Sequence, residues 1–117
     1  MARYTSLFKL AIPLPKLHDA IQSVLTDCKF NVLHNTNEYV MAKEIPGGVP
    51  FAKLVIVELL IDRTTATDEE VSLKCVVKNE ELPLQVNNHC HTRFDQVVEA
   101  FCKSEHWRVL ENIEPIR

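Results

Sequence analysis

The chain has 117 residues, 46% of them apolar and 25% charged, with a formal net charge of −3. This is the profile of one compact domain rather than a disordered or fibrous chain, and a pI near 5.9 argues against a general attraction to nucleic acid or anionic lipid. A domain of this size can hold a core without disulfides or a structural metal.

In chain order, Tyr4 to Ile12 alternates with Tyr4, Phe8, Leu10 and Ile12 on one side, which predicts a strand ended by Pro13. Pro15 then opens a helix whose stripe is Leu17, Ile21, Val24, Leu25 and Cys28. "KFNVLH" and "EYVMAKE" flank the turn-prone "NTN" as a hairpin, and "IPGGVP" marks a second turn. Two more strands, "AKLVIVELLIDR" and "EVSLKCVVKNE", follow, joined by "TTATDE". After the connection "LPLQVNNHCH", Thr92 and Asp95 have the spacing of a capping box, so a helix is expected from there with Phe94, Val97, Val98 and Phe101 on its apolar stripe. Trp107 stands alone in the tail.

The expected architecture is therefore α+β: a two-layer sandwich in β-α-β-β-β-β-α order, with a five-stranded antiparallel sheet and both helices on one face. It forms a single domain over residues 1–117. In topology this order resembles the fold of the TATA-box-binding protein and, more loosely, the helix-grip folds that hold lipophilic ligands. Neither resemblance is carried by a residue motif, so neither implies site residues.

The strand Lys53 to Asp62, "KLVIVELLID", holds one acid, Glu58, among aliphatic residues. Pairing Arg63 with Glu69 sets Val55, Val57, Leu59 and Ile61 against Val77, Cys75, Leu73 and Val71, an apolar face that belongs under the helices. Leu54, Ile56, Glu58 and Leu60 then oppose Lys78, Val76, Lys74 and Ser72, which puts Glu58 outward across from Lys74. Pairing Glu44 with Phe51 adds Tyr39 beside Ile56 and Met41 beside Leu54, although a one-residue slip would exchange the faces of that strand. The expected partner-binding or oligomer face is thus Tyr39, Met41, Leu54, Ile56, Glu58, Leu60, Lys74, Val76 and Lys78, with Lys43 at the rim. An apolar patch of this kind marks a protein partner, a subunit interface or a lipophilic ligand.

Other constellations are weaker. His89 and His91, with Cys102 and His106, give H-x-H followed by C-x-x-x-H, a conceivable zinc set for which a buried thiol and surface histidines are the simpler account. Cys90 lies just before the expected helix start, where a lowered thiol pKa is conceivable, but Asn87, Asn88 and the histidines beside it cannot converge on it as a triad from adjacent positions. Cys28 and Cys75 fall on core faces, and His18 and His34 on solvated ones. The two glycines, Gly47 and Gly48, are adjacent, so neither a Walker-type nor a dinucleotide-binding loop can be built.

No catalytic residue, cofactor or metal is assigned, and a non-enzymatic function is expected. No apolar run reaches the roughly 18 residues needed to cross a bilayer. The N-terminal segment lacks a signal peptide's features, and the four cysteines have no disulfide-scaffold spacing, so the chain reads as cytoplasmic. The expected function is self-association or protein docking through the outward sheet face. The alternatives are a carrier of a small lipophilic ligand and a nucleic-acid binder using Lys9, Lys43, Lys74 and Lys78.

Overall fold

The structure, a computed structural model, describes residues 1–82 and 88–115. Its elements are β1 (Ala2–Ala11), α1 (Leu14–Asp27), β2 (Phe30–Asn35), β3 (Tyr39–Glu44), β4 (Ile56–Asp62), β5 (Val71–Asn79), α2 (His89–Lys103) and β6 (Arg108–Ile113), with a 3-10 turn at Phe51–Lys53. The class is α+β, as the periodicities predict. The sheet is antiparallel in the order β2-β3-β4-β5-β1-β6, six strands rather than five.

The added strand is the tail. "RVLENI" offers too little alternation to declare itself, with only Val109 partly covered along a strand otherwise exposed. Trp107 is what returns the chain to the sheet: it is buried, its indole N–H donates to the Phe101 carbonyl at 2.8 Å, and its ring lies 5.2 Å from that of Phe101. β6 then pairs with the second half of β1, from Leu7–Ile113 to Ala11–Arg108, with a register shift between Lys9 and Leu10.

One core fills the space between the sheet and both helices. α1 contributes Leu17, Ala20, Ile21, Val24 and Leu25, and α2 contributes Cys90, Phe94, Val97 and Phe101. The sheet meets them with the even residues of β1 and the odd residues of β4 and β5, including Phe8, Leu10, Val57, Leu59, Leu73 and Cys75. Period-two alternation in the strands and stripes at 3.6-residue period in the helices account for this division.

Both expected strand registers need correction. β4 and β5 pair Ile56 with Lys78 and Asp62 with Ser72, two residues away from the Arg63–Glu69 frame. The connection is a long, internally bonded loop rather than a tight turn. The Asp62 carboxylate accepts from the Thr64 backbone N–H at 3.0 Å and from the Thr64 and Thr65 hydroxyls at 2.6 and 2.8 Å, while the Thr67 hydroxyl accepts from the backbone of Glu69 and Glu70. β3 and β4 pair Tyr39 with Leu60 and Lys43 with Ile56, displaced by four, because the 3-10 turn takes up residues expected in the strand. Both displacements are even, so every side chain that remains within these strands keeps its expected face.

α2 also starts earlier than the Thr92–Asp95 box predicts. Asn88 is its N-cap, accepting from the His91 backbone N–H at 2.9 Å. The buried Glu81 carboxylate takes the backbone N–H groups of His89 at 3.2 Å and Cys90 at 2.8 Å, and is steadied by the Asn79 amide at 2.6 Å. A negative group on the first turn suits the positive end of the helix dipole.

Candidate functional site: the outer face of the sheet

The face turned from the helices is built row by row from the strand pairings. Its central row is Tyr39–Leu60–Lys74–Leu7–Ile113, crossing β3, β4, β5, β1 and β6. Beside it runs Met41–Glu58–Val76–Thr5, then Lys43–Ile56–Lys78–Arg3. On the other side stands Asp62–Ser72–Lys9–Glu111.

In the central row Leu60 is 44% exposed, Leu7 38% and Ile113 53%. With Lys74 and Lys9 they border a concavity of about 310 Å³. Tyr39 and Met41 face outward as expected, which resolves the face of the third strand. Leu54 and Val76 are a correction: at 5% and 3% exposure they are covered within the chain and offer a partner no surface. Leu54 lies in the connection after the 3-10 turn instead of on the strand, and Val76 is enclosed between Glu58 and Thr5 at the centre of the sheet.

Glu58 does not oppose Lys74. Its cross-strand partner is Val76, and it reaches diagonally to Lys78, whose ammonium lies 2.5 Å from the carboxylate, while the Tyr39 hydroxyl donates to its other oxygen. Lys78 and then Tyr39 hold the Glu58 carboxyl below the usual glutamate range against the opposing effect of burial, and the bond to Glu58 pushes the Tyr39 phenol up to about 12. A carboxyl depressed in the folded state stabilises fully above its unfolded pKa, and that contribution is lost as pH falls through the folded value. Lys78→Met should raise the Glu58 pKa towards its ordinary value in a carboxyl-carbon NMR titration, and an unchanged titration would show that Lys78 does not hold it. The partly exposed pair is worth about 0–1 kcal/mol, so orientation is its main contribution.

The charges on this face are unevenly distributed. Arg3, Lys9, Lys43, Lys74 and Lys78 share it with Glu58, Asp62 and Glu111, and Glu114 borders a second concavity with Arg3 and Lys74. Lys9 lies 3.8 Å from both Glu70 and Glu111. Among the described residues no carboxylate comes within ion-pairing distance of Lys74, Lys43 or Arg3.

The conceivable zinc set does not converge. H-x-H brings imidazoles together only in an extended chain, whereas His89 and His91 begin a helix and diverge. His89 bonds Glu44 and His91 approaches Asp95 at 3.3 Å. Cys102 is exposed eleven residues along α2, about 16 Å away, and His106 lies past its end. Among the described residues no group of three or more potential ligands forms.

Cys90 is buried with Sγ 3.5 Å from the Val77 carbonyl, and burial followed by the charges of Glu81 and Glu44 pushes its thiol up to about 12, opposite to what a nucleophile requires. Asn87 lies outside the described residues.

On the helix side, sequence reasoning missed a polar cluster centred on buried Glu44. His89 Nε2–H donates to both its oxygens at 2.9 and 3.0 Å, the Val55 backbone N–H donates at 3.1 Å, and Arg93 Nε stands 3.5 Å away. Arg93 also bonds the Cys28 carbonyl and the Gln96 side chain, each at 2.5 Å, and stacks 4.4 Å above the Phe30 ring. This cluster fastens α2 to β2, β3 and the end of α1. Sequence reasoning also missed Leu7 and Ile113 on the outer face. Leu7 is legible as the outward phase of β1's alternation, but Ile113 is not, because its strand is not.

Compared with protein-family models, curated proteins and solved structures, the chain matches none. Among the described residues no helix is long and apolar enough to cross a membrane.

Proposed function

We propose that this chain is a non-enzymatic interaction module that docks protein, either a second copy of itself or a different partner, through the outer sheet face. The observation that carries the reading is the central row: three large aliphatic side chains, 38–53% exposed, border one groove. Covering each should contribute about 1 kcal/mol, with charged residues at the rim setting orientation. We assign it to the cytoplasm on the support of four free thiols.

Two other readings have less support. A lipophilic carrier needs room between sheet and helices, where Phe8, Phe94, Phe101 and Trp107 already pack. A nucleic-acid binder needs stacking aromatics on the sheet, and the outward aromatic there, Tyr39, has its hydroxyl engaged by Glu58.

Leu7→Ser combined with Leu60→Ser should weaken association at least about tenfold while circular dichroism stays unchanged, since both side chains are already half in water. A wild-type chain that sediments as a monomer at about 1 mM, and that a photocrosslinker at position 60 joins to no protein in cells, would sink the reading.

A further inference from the structure

Resting on the docking reading, we infer that the outer face takes an acidic amphipathic helix of a different protein, rather than the same face of a second copy. The charge distribution is the first reason. Lys74 stands at the middle of the apolar row with no carboxylate at ion-pairing distance among the described residues, and Arg3 and Lys43 lie in the same condition towards one side. A two-fold interface matches a surface to itself, so a pairing centred on this row would set Lys74 against a second Lys74. A partner with carboxylates instead supplies what the row lacks.

Spacing is the second reason. Neighbouring strands lie about 4.8 Å apart, so Leu60 on β4 and Leu7 on β1 stand about 10 Å apart with Lys74 between them, and Ile113 about 5 Å further on. Helix positions i, i+7 and i+10 rise about 10.5 and 15 Å along the axis. A helix laid across the strands can therefore seat three apolar side chains on the row and carry a glutamate or aspartate between the first two towards Lys74. Nucleic acid fits less well, because the row's exposed groups are aliphatic and offer its bases no aromatic ring to stack on.

The test uses the full chain and three labelled probes: a synthetic helix of about four turns with leucines at that spacing and glutamates elsewhere on the facing side, its lysine-for-glutamate twin, and a single-stranded oligothymidylate. Fluorescence anisotropy should show the acidic helix binding at least about tenfold more tightly than its twin, and more weakly as salt rises. Lys74→Glu and Leu60→Ser should each weaken it by about tenfold, with Lys74→Gln serving if the glutamate variant does not fold. Equal or tighter binding of the lysine twin or the oligothymidylate would overturn the inference, as would acidic-helix binding indifferent to both substitutions. If no probe binds but sedimentation shows a dimer that Leu7→Ser with Leu60→Ser dissolves, the face docks a second copy: this inference falls and the docking reading stands. If the face also fails to self-associate and to crosslink, both fall.

Discussion

Replacing Glu44 with alanine should lower the unfolding free energy by about 3–5 kcal/mol, because it removes the acceptor at the centre of a buried charged cluster. Glu44 is side-chain partner to His89, Arg93 and the Val55 backbone at once. Without it the Val55 N–H loses that acceptor and the Arg93 guanidinium its counter-charge, though Arg93 keeps the Cys28 carbonyl and Gln96. Glu44→Gln should cost less, since an amide oxygen can still take the Val55 N–H. Urea denaturation followed by circular dichroism measures both, and a loss below about 1 kcal/mol for the alanine variant would mean that solvent replaces the cluster.

Trp107→Ala should cost a comparable amount, about 3–5 kcal/mol, through lost packing on Phe101 and a lost hydrogen bond. Its further effect is local. β6 is exposed along most of its length and is held by its ladder to β1, by Val109 and by the Asn112 amide on the Ser6 hydroxyl at 2.7 Å. Freed from Trp107, the strand should fray first, which hydrogen exchange of the β6 amides reads directly. Because β6 brings Ile113 to the outer groove, the variant should also weaken docking. Trp107→Phe should recover most of the ring packing without the N–H bond. Unchanged β6 protection in the alanine variant would show that the ladder alone retains the strand.

The residues that build the fold were legible where periodicity was strong. The helix stripes identify Leu17, Ile21, Val24 and Leu25, and Phe94, Val97 and Phe101, all buried. Alternation in β4 and β5 assigns each residue to a face, and those faces survive registers wrong by two and four residues. The reason is geometric: in a strand of period two, any even slip changes the partner and leaves the face alone.

Glu58 shows the limit of that logic. Chain pattern alone turns it outward beside lysines, because an unpaired carboxylate is too costly under the helices. Which lysine it meets depends on loop length, and loop length depends on bonds that local pattern does not announce: Asp62 folding Thr64 and Thr65 around itself, and a 3-10 turn at Phe51–Lys53. The same holds at α2, where Glu81 and Asn88 cap a helix that Thr92 and Asp95 also suit.

Most of the candidate site was decided at long range. Lys74 lies between Leu60 and Leu7 only because β5 pairs with β1 across more than sixty residues of chain, and Ile113 joins them only because Trp107 anchors the tail on α2. Side-chain phase along a strand is a property of neighbouring residues, so it can be read from the chain. Which phases meet in space depends on closure of long loops and burial of distant side chains, which no local pattern encodes.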